Sequence, residues 1–318
     1  MSGPVPPLFS ARAARVATEG RVVLDALEIE TRGGLFVVSG DAGPLVAVLC
    51  GVPENAAEAA ERARQGELVA ISEAPRVVSG AVAVAGRDVA SGAHHAVLGV
   101  ALFDLPTEHD RTVGDHVEGT IRVALARRGA VSRSEVARET SEVLTRAALG
   151  GGPKRRLGTL ALPEKRALEV ATAAAAGAEV LLLDRPLAGL EGAAAAFVLG
   201  AIERAREGRG AIVRALALTP GTAEGDLARR ATDCAVLAGT GVVFSGTLAE
   251  HAQGSRVVSV VVRTAPSELA HGLVEAGLTV SGGPHRLTVV LGESRRPSEI
   301  LRVAAAVRAS VVEIIPLM

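Results

Sequence analysis

The chain has 318 residues, is 48% hydrophobic and 22% charged, and carries a formal net charge of −1. So balanced a surface offers no field of one sign to nucleic acid or anionic lipid, and a chain without Tyr or Trp has neither ring to stack on a base. No stretch approaches the roughly 18 apolar residues of a membrane span, the N-terminus lacks a signal-peptide layout, and the two cysteines, Cys50 and Cys234, sit in apolar runs, so the expectation is a reduced, cytoplasmic protein without direct membrane insertion.

In chain order, RVVLDALEIE and GLFVVSG within residues 21–38 predict two strands joined at TRGG. PLVAVLCGV, after Gly43, predicts a short buried helix, and PENAAEAAERARQGE an exposed one. RVVSGAVAVAGRDV alternates around a glycine and predicts a hairpin. From about 105 to 175 the apolar spacing is helical: VGDHVEGTIRVALARRG, SRSEVARETSEVLTRAAL and PEKRALEVATAAAAG. EVLLLD, the helix GAAAAFVLGAIERAREG, AIVRALAL and the strand pair CAVLAGTGVVFSGT then continue an α/β order that implies a largely parallel sheet. Beyond HAQGS the pieces SRVVSVVVR, APSE with a helix, GLTVSG, HRLTVVLG, PSEILRVAAAVRA and SVVEIIPL give a βαββαβ order, typical of a ferredoxin-like unit.

In this order the segments resemble the ATP-binding subunit of ABC transporters, in particular the group that energises ABC-2-type exporters and carries a small C-terminal domain. EVLLLDRPLAGLE is similar to the family's Walker B and D-loop, VVFSGTLAEH to the strand and SGT turn after its His-loop, and RTVGDHV to the start of its helical subdomain. The resemblance implies an α/β fold: a P-loop NTPase-like ABC ATPase core over 1–250, with a helical subdomain at about 105–175. A small α+β ferredoxin-like domain is expected over 255–318.

The residues that should do the chemistry depart from the pattern. A phosphate loop needs glycines that free successive backbone N–H groups, a Lys for the outer phosphates and a Ser or Thr for magnesium. The matching stretch, VVSGDAGPLVAVLCGV, leaves a nucleotide-binding remnant of Gly40, Asp41, Ala42 and Gly43, with Val46 and Ala47 at the Lys and Ser/Thr positions. The only lysines are Lys154 and Lys165. Asp184 keeps the Walker B position. Arg185 stands where the family uses Glu to polarise water, and a guanidinium cannot accept a proton.

Leu160, Ala161, Leu162, Pro163 and Glu164 occupy the LSGGQ signature; Thr222, or Pro220 in a shifted match, replaces the switch histidine; and Phe103 or Asp104 replaces the magnesium-sensing glutamine. Aliphatics around Val16 and Ala17 replace the adenine-stacking aromatic. Two readings stay open for Arg185: ion pairs with Glu191 and Glu164 that fill the vacated site, or a simple solvated arginine. The seven histidines show no ligand spacing and read as solvated surface residues, with the adjacent His94 and His95 pointing apart, so no metal site is expected.

These joint losses favour a pseudo-ATPase over an enzyme, without a cofactor. It would act as a structural or regulatory subunit of an ABC-2-type transport or membrane-associated complex. The partners implied are an ABC-2-type permease, an intact ATPase or another component of that complex, at the inner face of the membrane, with a homodimer also open. The alternatives are a divergent but active subunit that binds ATP and magnesium, and a cytosolic scaffold unrelated to transport.

Overall fold

The computed structural model describes residues 6–53, 73–102, 110–126, 132–175, 177–219, 221–250, 257–283, 285–291 and 295–317. The helix expected from PENAAEAAERARQGE lies almost wholly outside them. The described residues form three sheets in two compact units, Met1–Ser245 and Gly246–Met318.

In the first unit, β1 (Phe9–Thr18), β2 (Arg21–Glu30), β4 (Arg76–Val84) and β5 (Arg87–Asp88) make an antiparallel sheet in the order β2-β1-β4-β5. The second sheet runs β10-β9-β3-β8-β7-β6, from β3 (Leu35–Gly40), β6 (Leu98–Ala101), β7 (Val180–Asp184), β8 (Gly210–Arg214), β9 (Asp233–Ala238) and β10 (Gly241–Gly246). Its pairs from β9 through β6 are parallel. Leu35, Phe36, Val37 and Val38 are all buried, as a strand covered on both faces requires. The ring of Phe36 stacks on Phe9 of the other sheet at 5.6 Å, so one core joins the two.

The strands expected on either side of TRGG therefore form in different sheets. Arg32 makes the crossing: its backbone N–H donates to Asp233 Oδ2 at 2.8 Å, and its guanidinium holds Oδ1 of the same buried carboxylate. Two strands have no clear signal in the sequence. β1 is rich in Ala and Arg and is broken by register shifts around Ala13, whose φ is 46°. β6, LGVA, is too short to show a period.

Helix α1 (Gly43–Cys50) follows β3, and α2 (Val113–Ala126), α3 (Arg133–Ala147) and α4 (Leu162–Ala173) form the helical part. Val113, Val117, Ile121 and Leu125 recur every four residues on α2 and pack with Val136 and Val143 of α3 and Leu168 and Ala171 of α4. Ser132 caps α3 by accepting from the Glu135 N–H. Helices α5 (Gly192–Ala205) and α6 (Ala223–Arg229) follow β7 and β8.

The second unit runs β11 (Val257–Thr264), α7 (Pro266–Glu275), β12 (Thr279–Gly283), β13 (Arg286–Val290), α8 (Ser298–Ala306) and β14 (Ser310–Leu317). Its sheet order, β12-β13-β11-β14 with antiparallel pairing, is that of a ferredoxin-like fold. Val258, Val260, Leu287 and Val289 face Leu269, Leu273 and Ile300 of its helices in a separate core.

Candidate nucleotide site

Open parallel sheets bind ligands at the carboxyl ends of their strands, and here those ends carry Gly40, Asp184 and Arg214. Only Asp41 and Ala42 separate β3 from α1. Asp41 donates its N–H to Leu237 O at 2.9 Å, and Ala42 donates to Gly40 O at 2.8 Å. Pro44, in the first turn of α1, has no N–H to offer. The Asp41 carboxylate caps the loop after β9, taking the Gly239 N–H at 2.8 Å. Gly40 has φ +75°, and a Cβ there would lie 2.1 Å from Leu237 O, so this turn is drawn tight against β9. The Asp41 and Ala42 amides are thus used within the corner.

Asp184 and Arg214 are opposite each other in the β7–β8 ladder. Asp184 Oδ1 accepts from Arg214 Nη1 at 3.3 Å and lies 3.4 Å from Arg185 Nε. The three side chains are only 11%, 19% and 27% exposed for Asp184, Arg214 and Arg185. Arg185 takes a left-handed φ of 50° and donates its own N–H to Arg214 O at 2.9 Å, which extends the ladder by one bond. Arg214 escaped the sequence reading, although a single charge inside AIVRALAL was the signal: a cation at the tip of a buried strand needs a counter-ion. Asp184 is also near enough to Cys50 to add to the effect of burial, which pushes that thiol up to about 12. Burial does the same for Cys234, and neither cysteine is a ready nucleophile.

Residues 160–164 lead into α4. Leu160 is buried, Ala161 stands at the N-cap, and Leu162 and Pro163 open the first turn. Glu164 bends back to accept the Ala161 N–H at 2.8 Å, so the positive end of α4 is already occupied by its own carboxylate. Arg155 grips Glu164 with two bonds of 2.5 and 2.7 Å. That hydrogen-bonded pair, helped by the Ala161 amide, holds Glu164 below the usual carboxylate range. Of the two partners expected for Arg185, Glu164 thus belongs to Arg155, and the pairing with Asp184 was not foreseen.

Thr222 is the N-cap of α6, taking the Gly225 N–H at 3.0 Å. Val16, in the stretch expected to flank adenine, is fully buried in β1. Phe103, Asp104 and Pro220 lie outside the described residues, as do His109 and His251. At these strand tips Asp184 is approached by two guanidiniums, and the Asp41 and Ala42 amides bond within their own corner.

The histidine reading needs correction. His94 is 1% exposed, bonds Leu49 O through Nε2 at 2.9 Å, and lies against its neighbour His95 with ring centroids 4.0 Å apart and the planes tilted by 37°. A short 3₁₀ turn at Ala93–Ala96 brings the two rings together, where a strand or helix would have separated them. His116 is half-buried and pairs with Glu169 at 3.0 Å. That pair lines a groove of about 470 Å³, with Leu98 and Gly99 of β6, Thr120 of α2 and Ala173 of α4. Among the described residues no cluster of three or more His, Cys, Asp or Glu is arranged to hold a metal.

Two solved structures share the fold. An ATP-binding subunit of an ABC transporter superposes with a TM-score of 0.52 at 16% identity, covering 77% of this chain and 92% of that one. A nucleotide-free ATP-binding cassette from an ABC transporter gives 0.55 at 14%, covering 76% and 91%. The chain has the fold of an ABC ATP-binding cassette. In sequence, ribose import ATP-binding proteins of two strains of Burkholderia pseudomallei are 35% identical over 71 residues, which is 22% of this chain and only 14% of those proteins. No protein-family model matches the chain. The fold is thus shared with solved structures only 14–16% identical in sequence. No helix among the described residues is long and apolar enough to cross a membrane.

Proposed function

We propose that this chain is a non-catalytic cassette, a pseudo-ATPase that works through protein contacts as a structural or regulatory subunit of an ABC-2-type transport or other membrane-associated complex. The observation that carries the reading is Asp184 held by Arg185 and Arg214, with Arg185 in the place of the general base. A magnesium ion brought to that carboxylate meets two fixed positive charges, and the neighbouring side chain has no lone pair for a proton.

The groove beside α2 and α4 supports a partner-binding role. Gly99 of β6 lies so close to α4 that a Cβ would meet Ala173 O at 1.9 Å, and the remaining walls are mostly small residues, leaving room for a short segment of a permease-like protein. The 71-residue likeness to ribose import ATP-binding proteins supports a transport setting and leaves the substrate open. Calorimetric titration of the full chain with ATP, with and without magnesium, tests the proposal: no magnesium-dependent binding is expected, and a magnesium-dependent dissociation constant near about 1 μM would reinstate a divergent, active subunit. Affinity purification from the native membrane fraction should bring down a multi-span protein or an intact ATPase; recovery without either would favour a scaffold outside transport.

A further inference from the structure

We propose that the arginine pair at the tips of β7 and β8 forms a metal-independent site for a small tetrahedral oxyanion of the phosphate type. Asp184, Arg185 and Arg214 together carry one negative and two positive formal charges, and the one carboxylate meets both guanidiniums through a single oxygen, at 3.4 and 3.3 Å. Both contacts are long for charge-assisted bonds. The decisive group is Arg214: its Nε is buried and has no hydrogen-bond acceptor among the described residues, while its Nη1 alone reaches Asp184. A buried guanidinium with an unused N–H carries a desolvation penalty that a second oxyanion would relieve, and the planar fork suits phosphate oxygens. Asp41, at the tip of the neighbouring β3, does not fill the role, since its Oδ2 is turned to the Gly239 N–H. The place is the carboxyl end of a parallel sheet, where folds of this kind bind their ligands.

The inference rests on the reading of this site as one that has lost magnesium-nucleotide chemistry, and it adds what the site takes in place of magnesium. In the intact cassette fold the phosphate would be held with a cation; here the two cations are side chains, so binding requires no metal. The same chemistry could come from free phosphate or from the terminal phosphate of a nucleotide, and titrating both separates the sources.

The experiment is calorimetry and thermal denaturation of the full chain in EDTA, with inorganic phosphate, with ATP, and with sodium chloride at matched ionic strength. Phosphate is expected to bind with a dissociation constant of about 1 mM or tighter and to raise the melting temperature where chloride does not. Arg214→Gln should weaken binding at least about tenfold, and Arg12→Gln, which removes an exposed arginine paired with Glu30, should leave it unchanged. If Arg214→Gln fails to fold, Arg214→Lys keeps the charge and loses the fork, and about a tenfold weakening is again expected. Absence of saturation by about 10 mM phosphate in the folded wild type, or equal stabilisation by chloride, overturns the site. ATP binding in EDTA at the affinity of phosphate assigns the phosphoryl group of a nucleotide as an equal ligand and supports the site. ATP binding that requires magnesium overturns the underlying reading whatever phosphate does, so the two failures are distinguishable.

Discussion

In the proposed reading, Asp184 has a different energetic role from that of a metal ligand. A carboxylate poised for magnesium is surplus negative charge until the cation arrives, whereas this one is the counter-charge that makes two mostly buried arginines tolerable. Asp184→Asn keeps the shape and removes the charge, so it should lower stability by about 2–4 kcal/mol, seen as a lower urea midpoint at constant slope. An unchanged or raised midpoint would mean the arginines are solvated and the cluster is incidental. Glu164 makes a second prediction, this one in pH. Its folded pKa is depressed by Arg155, so the pair's contribution is fully present above the ordinary value of 4.5 and is lost as pH falls through the lower folded value. Glu164→Gln should therefore be less stable than wild type by a constant amount above about pH 5, and the two curves should converge below that; parallel curves throughout would sink the argument.

At the scale of elements, the corner between β3 and α1 differs most from a phosphate loop. Gly40→Ala puts a Cβ 2.1 Å from Leu237 O at φ +75°, and should cost about 3 kcal/mol or more. Gly189→Ala has a similar φ of +67° but nothing within 4 Å, and should cost only about 1 kcal/mol. Denaturant unfolding of the pair separates close packing from backbone strain. The same corner shows what could be read in advance. β3 and β7 were legible because strands buried on both faces are continuous apolar runs ending in a polar residue, and the helical part because Val113, Val117, Ile121 and Leu125 keep a helical period. β1 was not, since Ala and Arg carry little strand signal and several register shifts break its alternation. At the site, the missing Lys and the misplaced Arg185 were visible as letters. The partner of Arg185 was not, because a left-handed backbone turns its side chain onto the preceding residue, and the pairing of Asp184 with Arg214 depends on sheet order. The burial of His94 likewise depends on a 3₁₀ turn that no periodicity announces.

For the molecule as a whole, the proposed loss of nucleotide chemistry is compatible with the cassette fold, because the apolar core lies apart from the strand-tip cluster. Its apolar members pack between the antiparallel sheet, α1 and the parallel sheet, while Asp184, Arg185 and Arg214 lie at the strand tips. Partner binding is separable from both. Thr120, exposed on α2 and lining the groove with Glu169, can be enlarged without entering the core. Thr120→Arg should abolish co-purification of a membrane partner while shifting stability by no more than about 0.5 kcal/mol. Asp184→Asn should do the reverse, lowering stability and leaving capture intact at a temperature where the variant is folded. If Thr120→Arg still captures the partner, the contact lies elsewhere; if Asp184→Asn loses it while folded, the strand-tip cluster belongs to the binding surface and the separation of scaffold from interface fails.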